Sequence, residues 1–156
     1  MRGAYRFLAG LIAVLVVVQA FAIAWAVAGL GHWVDEGGTL DKAAFEDENL
    51  DFDGVVGFMI HGINGMMLIP LVSLVLLIVS FFAKVPKGVM WAGLLLVFVV
   101  IQVALGLVGH SVPIAGGVHG LNALIVFGLA VMAYMRSKAV PVATAASTAP
   151  GQHTHV

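Results

Sequence analysis

Histidine occurs six times in this chain, and two of the six share a short context inside long apolar stretches: His61-Gly62-Ile63-Asn64-Gly65 and His119-Gly120-Leu121-Asn122-Ala123. An ionisable side chain is costly in hydrocarbon unless a partner or ligand holds it, which makes such residues functional candidates. A neutral imidazole offers a nitrogen lone pair to a metal, so two imidazoles on two helices can hold one metal-centred ligand between them. Asn64 and Asn122 stand three residues beyond their histidines and share nearly the same helix face, within reach of the ligand's edge, of water or of each other. Small residues border each histidine four positions before and after: Gly57 and Gly65, then Ala115 and Ala123. They leave room for a flat macrocycle against the backbone. Small-xxx-small stripes are also how membrane helices pack closely, and His or Asn can bond between helices with no cofactor. A purely structural role therefore stands beside the ligand-binding one.

The elements that position these residues are membrane-spanning helices. With 62% hydrophobic and 10% charged residues, a soluble domain of 156 residues could not hide its apolar surface. Four apolar runs, at about 7–30, 55–83, 89–108 and 114–135, each reach the ~20 residues that cross the hydrocarbon core as a helix. They are continuously apolar rather than alternating, which specifies helices and not a barrel. The expectation is an all-α, integral-membrane four-helix bundle over residues 1–138, with an acidic loop at 31–54 and a disordered Ala/Thr/Pro-rich tail at 139–156. His153 and His155 in that tail receive no role. The first run resembles a signal peptide at Ala24-Trp25-Ala26, but its apolar stretch is too long for one, and it is read as retained.

Charge sets the expected orientation. Arg2, Arg6, Lys84, Lys87, Arg136 and Lys138 flank the runs on one side, whereas all eight acids lie between Asp35 and Asp53 with Lys42 as the only base among them. The positive-inside rule then puts both termini in the cytoplasm of a plasma-membrane protein and the acidic loop outside. A net charge of −1 gives no sign of a nucleic-acid partner; the partner is the lipid bilayer. Inside the loop, Thr39 to Glu46 suits a short surface helix capped by Thr39. Asp51-Phe52-Asp53-Gly54 is only a fragment of a calcium loop and reads as solvated acidic chain.

The chain repeats as two hairpins. Val16-Val17-Val18-Gln19, Gly29-Leu30-Gly31-His32 and the first histidine motif are followed by Val99-Val100-Ile101-Gln102, Gly106-Leu107-Val108-Gly109-His110 and the second. Both hairpins leave and return to the same side, so the repeat is parallel, about an axis along the membrane normal. His61 and His119 then lie at one depth, in the outer leaflet, with His32 and His110 ending the first and third helices nearby. Gln19 and Gln102 sit mid-membrane at equivalent places, suited to bonding across the bundle or, less directly, to lining a quinone or proton route.

With no cysteine, a thiolate metal site, an iron–sulfur cluster and covalent haem attachment are excluded. Two imidazoles without sulfur or carboxylate suit haem b with two axial histidines, held by His61 and His119 and bordered by Asn64, Asn122, Gly65 and Ala123. Zinc or copper on four imidazoles, adding His32 and His110, is a metal-handling alternative. A cofactor-free accessory or assembly subunit is another, and a small transporter a third. No Asp or Glu occurs inside any run, which points away from an enzyme and from proton-coupled transport.

Four helices with a long loop after the first, and one histidine in the loop-side half of helices two and four, resemble one half of a haem A synthase. The likeness covers about residues 7–135 and rests on architecture and histidine placement. It implies that His61 and His119 are paired axial ligands of a haem-type cofactor, and that two copies could rebuild an eight-helix assembly. That family carries a glutamate one turn before the histidine of its second helix. Here that turn is Gly57-Phe58-Met59-Ile60, so the family's oxidation of a haem methyl group is not expected. The chain also resembles small four-helix membrane proteins of actinobacteria, a family of unknown function. The expected role is electron transfer or haem handling, with a redox or haem-enzyme partner.

Overall fold

The computed structural model describes residues 1–46 and 50–138. It is an all-α bundle whose four long helical spans are each long and apolar enough to cross a bilayer. The first span is α1, Arg2–Asp35. A short helix α2, Lys42–Glu46, lies in the acidic loop. The second span is composite: α3, Val56–Ile63, then a π-helical turn, Asn64–Leu68, then α4, Ile69–Ser80. The third span is α5, Gly88–Gly109, and the fourth is α6, Pro113–Lys138. Large apolar side chains such as Phe7, Phe21, Leu71, Ile114 and Leu124 are more than half exposed, a surface that only lipid covers comfortably.

Helix one is longer than its apolar run of 7–30. Apolarity marks only the part in hydrocarbon, and the helix continues through Arg2 and Arg6 at one end and Trp33 at the other, so the connection that follows is correspondingly shorter. The second span ends earlier than the run at 55–83, because Phe81 to Lys84 form the turn, with Lys84 and Lys87 both left-handed at φ 50° and 56°. The third and fourth helices also exceed the expected 89–108 and 114–135. In the acidic loop, Asp41 caps α2 instead of Thr39: its Oδ1 accepts the Ala44 N–H at 2.8 Å. The helix starts two residues later than expected, which leaves Thr39 outside it. The tail at 139–156, with its expected disorder, lies outside the described residues.

Charge divides the bundle into two ends. At the basic end Arg2 Nη2 donates to the Lys84 carbonyl at 2.9 Å and Arg6 to Tyr134 Oη at 3.2 Å, while Arg136 lies over the Trp91 ring at 5.5 Å. The tight core belongs to this half: Tyr5, Ile12, Leu76, Leu95, Val99 and Val126 are fully buried, and Tyr5 Oη donates to the Gly88 carbonyl at 3.2 Å. The acidic end packs differently. There α3 lies chiefly against α1, with Gly57 directly over the Ala22 carbonyl, while α6 packs on both α1 and α5. The loop closes back through Gly54, whose φ of 93° and contact with Trp25 leave no place for a Cβ.

The π turn has a geometric purpose. On the acidic side of it, equivalent residues of the second and fourth spans differ by 58 positions: Gly57 and Ala115, His61 and His119, Asn64 and Asn122. On the basic side, residues matched by burial differ by 57: Ile69 and Val126, Ser73 and Ala130, Leu76 and Ala133. Even the hydroxyl bonds match, with Ser80 Oγ donating to Leu77 O and Ser137 Oγ to Tyr134 O, both at 2.6 Å. One extra residue is absorbed between Asn64 and Ile69, where the Ile69 N–H bonds to Asn64 O, five residues back. Pro70 explains the site: its ring crowds the carbonyl four residues earlier, and widening the preceding turn relieves it. Pro70 therefore follows a register-restoring bulge.

Deleting Met67, a lipid-exposed residue of the π turn, together with Pro70→Ala should convert the second span to continuous α-helix with both faces in place. Deleting the equally exposed Leu124 should rotate the basic-side half of the fourth span by about 100° and carry Ala130 and Ala133 off the core. Thermal unfolding in micelles should show the first variant folded and the second not. Equal damage from both deletions would contradict this register argument.

Candidate functional site

Each hairpin builds the same polar unit. In the second, His119 Nδ1 lies 2.9 Å from the Gln102 carbonyl oxygen, and Asn122 Nδ2 donates to Phe98 O at 2.9 Å and to Gln102 Oε1 at 2.6 Å. In the first, His61 Nδ1 lies 3.3 Å from the Gln19 carbonyl, and Asn64 Nδ2 donates to Leu15 O at 3.1 Å and Gln19 Oε1 at 3.2 Å. The acceptors are equivalent too, since Leu15 and Phe98 each precede their glutamine by four residues. Gln19 adds a bond from Nε2 to the His61 carbonyl at 3.0 Å. Four of these bonds join the two helices of the first hairpin and three those of the second, at about 0.6 kcal/mol each or ~4 kcal/mol over both.

A carbonyl oxygen can only accept, so each Nδ1 facing one carries the ring proton. In the neutral ring that fixes the tautomer and puts the lone pair of His61 and of His119 on Nε2. The two rings come from spans that do not pack on each other at this level, yet their centroids are 6.1 Å apart with planes inclined by 57°. Both line one cavity of about 550 Å³, walled by all four spans. Its walls are almost wholly aliphatic, and the titratable groups among its lining residues are His61, His119 and His110.

The residues singled out by sequence divide into two groups. His61, His119, Gly65, Ala123, Gln19 and Gln102 all reach the cavity. Asn64 and Asn122 do not line it. At 6% and 5% exposure they are buried, and they bond to the glutamines rather than to a ligand edge, to water or to each other. Gly57 serves close packing of α3 on α1, and Gly65 makes room for the Gln19 amide as well as bordering the cavity.

His32 and His110 do not join the central pair as a four-imidazole site. His110 reaches the cavity rim, but His32 is exposed and pairs with Glu36 at 3.5 Å. The reason is register. His32 comes thirteen residues after Gln19 and His110 eight after Gln102, a difference of about 7.5 Å along a helix. Among the described residues no group of three or more His, Cys, Asp or Glu comes together.

Gly106 was quoted in the repeat without a role and turns out to be part of the site. A Cβ built there would lie 3.2 Å from His119 Cε1 and 3.3 Å from Nδ1, so the imidazole is seated on bare backbone. Its place, one turn beyond Gln102, is the available signal.

The chain matches no protein-family model, no curated protein and no solved structure, so the chemistry of the site rests on its own geometry.

Replacing either asparagine with leucine removes both Nδ2 bonds and takes the asparagine donor from a glutamine Oε1 in an apolar setting. Each change should lower the stability of the cofactor-free protein by about 1–2 kcal/mol in a micellar unfolding assay. Unchanged stability in Asn122→Leu would show that the unit does not hold its hairpin.

Proposed function

We propose that this integral membrane protein binds one haem b between His61 and His119, and acts in electron transfer or haem handling near the acidic end. The observation that carries the proposal is the duplicated histidine whose Nδ1 is committed to a backbone carbonyl while its ring faces a shared apolar cavity. Metal-ligating histidines commonly donate their second nitrogen in this way, which orients the ring and raises its basicity.

The donor set and the space fit that group. Two imidazoles that held one metal between them at about 2.0–2.1 Å would have centroids up to ~6.3 Å apart, against 6.1 Å here. The 57° inclination is available by rotating each ring about its own bond to the metal. A volume of about 550 Å³ lies within the usual ~300–1,000 Å³ of small-molecule sites. Haem so held would supply one-electron redox chemistry. The chain's own contribution would be to present two Nε2 atoms, hold each ring through Nδ1 and surround the site with mostly apolar walls. The likeness to one half of a haem A synthase supports the same ligand pair. Orientation follows from the basic residues gathered at one end: both termini and the 84–87 turn lie in the cytoplasm, and the acidic loop lies outside.

Protein expressed with haem supplied should purify with about one haem per chain and a low-spin spectrum. His61→Ala and His119→Ala should each abolish or convert that spectrum, and His32→Ala should leave it. A colourless wild-type protein would instead support the cofactor-free reading, in which the same hydrogen bonds only lock the hairpins. A cysteine placed at Thr39 should react with an impermeant maleimide in intact cells; labelling only after lysis would reverse the topology.

A further inference from the structure

The two polar units are equivalent in design and unequal in hold. His119 sits on the continuous helix α6, which is packed on both sides by α1 and α5. Its ring rests on the Gly106 backbone and its Nδ1 lies 2.9 Å from the Gln102 carbonyl. His61 has less support at its ring, although Gln19 Nε2 also donates to its backbone carbonyl at 3.0 Å. Its Nδ1 bond is longer, at 3.3 Å, and the residue equivalent to Gly106 in the first span is Ile23, which offers no bare backbone for the ring.

The helix that carries His61 has a single principal neighbour. α3 is eight residues long, packs chiefly on α1, and is followed by the π turn beginning three residues after His61. Such turns are rare and occur frequently at functional sites. Within this unit Asn64 Oδ1 is buried with no hydrogen-bond partner among the described residues, so the first unit is incompletely satisfied. Open space does not separate the two histidines, since Gly62 and Gly120 both border the cavity and a Cβ added to either would meet nothing within 4 Å; the difference lies in how each ring and helix is held.

We infer that His119 is the fixed ligand and His61 the displaceable one, so that the site admits a small neutral diatomic molecule on the His61 side. The inference rests on the haem reading above. In the exchange, the bond from His61 Nε2 to ferrous iron breaks as the iron–carbon bond of carbon monoxide forms. No electron moves, and the released ring would keep its Nδ1 proton towards the Gln19 carbonyl. Because α3 has one principal neighbour, the ring can withdraw without disturbing the core at the basic end. A purely electron-carrying site, with both ligands clamped, would not bind such a molecule.

The test uses the full chain in detergent or nanodiscs, loaded with haem and reduced with dithionite, and titrated with carbon monoxide by absorption. Wild type should bind it. His61→Ala should keep most of its haem and bind carbon monoxide about tenfold more tightly, whereas His119→Gly should lose most of its haem. Free imidazole added to His119→Gly should restore haem binding, which shows that the variant is folded. Wild type that takes up haem but excludes carbon monoxide overturns this inference alone, as does equal haem loss from the two variants or loss confined to His61→Ala. Wild type that takes up no haem overturns the haem reading and this inference with it.

Discussion

Inside hydrocarbon a polar group must find its partner within the protein, and in this chain that constraint organises each hairpin around one glutamine. Gln19 and Gln102 each give the backbone carbonyl to a histidine and the side-chain carbonyl to an asparagine. The arrangement uses groups that a helix otherwise leaves idle: a backbone carbonyl has a second lone pair, and the asparagine of the neighbouring helix reaches one such carbonyl together with the glutamine Oε1. Because the bonds run within a hairpin and not between hairpins, each repeat is held together independently. What the two repeats share is the space between their histidines.

That space exists because the two ends of the bundle are packed differently. At the basic end Tyr5, Ile12, Leu76 and Leu95 are fully buried and bring the spans together. At the acidic end small residues bring α3 onto α1, which draws it towards one neighbour and leaves the cavity between the hairpins. The π turn connects the two regimes. Without its extra residue, a second span with this sequence could direct either His61 and Asn64 or Ser73 and Leu76 correctly, but not both. The energetic cost of a π turn is small beside that of turning a buried face into lipid.

Much of this was legible in the sequence. Four spans followed from apolar length, and the segregation of basic from acidic residues to opposite ends followed from Lys and Arg placement. The histidine pair was visible because duplication makes a rare polar residue stand out in an apolar run. The partners were harder to read. Asn64 and Asn122 looked able to meet a ligand, whereas the helix phase turns them towards α1 and α5, which only packing decides. Gly57 and Gly65 shared a stripe, yet one meets a carbonyl of α1 and the other the Gln19 amide. His32 and His110 seemed equivalent because both end a helix. Counting from the glutamines shows otherwise, since α1 extends farther than α5. The bulge escaped notice because a single inserted residue disappears where all residues are apolar.

The central claim is that both histidines face one ligand with Nε2 free. Pulsed electron paramagnetic resonance on the ferric, haem-loaded protein, prepared with ¹⁵N-labelled histidine, reads this directly. The expected result is a low-spin signal with hyperfine coupling to two histidine nitrogens, reduced to one in His61→Ala. A high-spin signal, coupling to a single histidine in the wild type, or coupling that survives in His61→Ala would contradict the account.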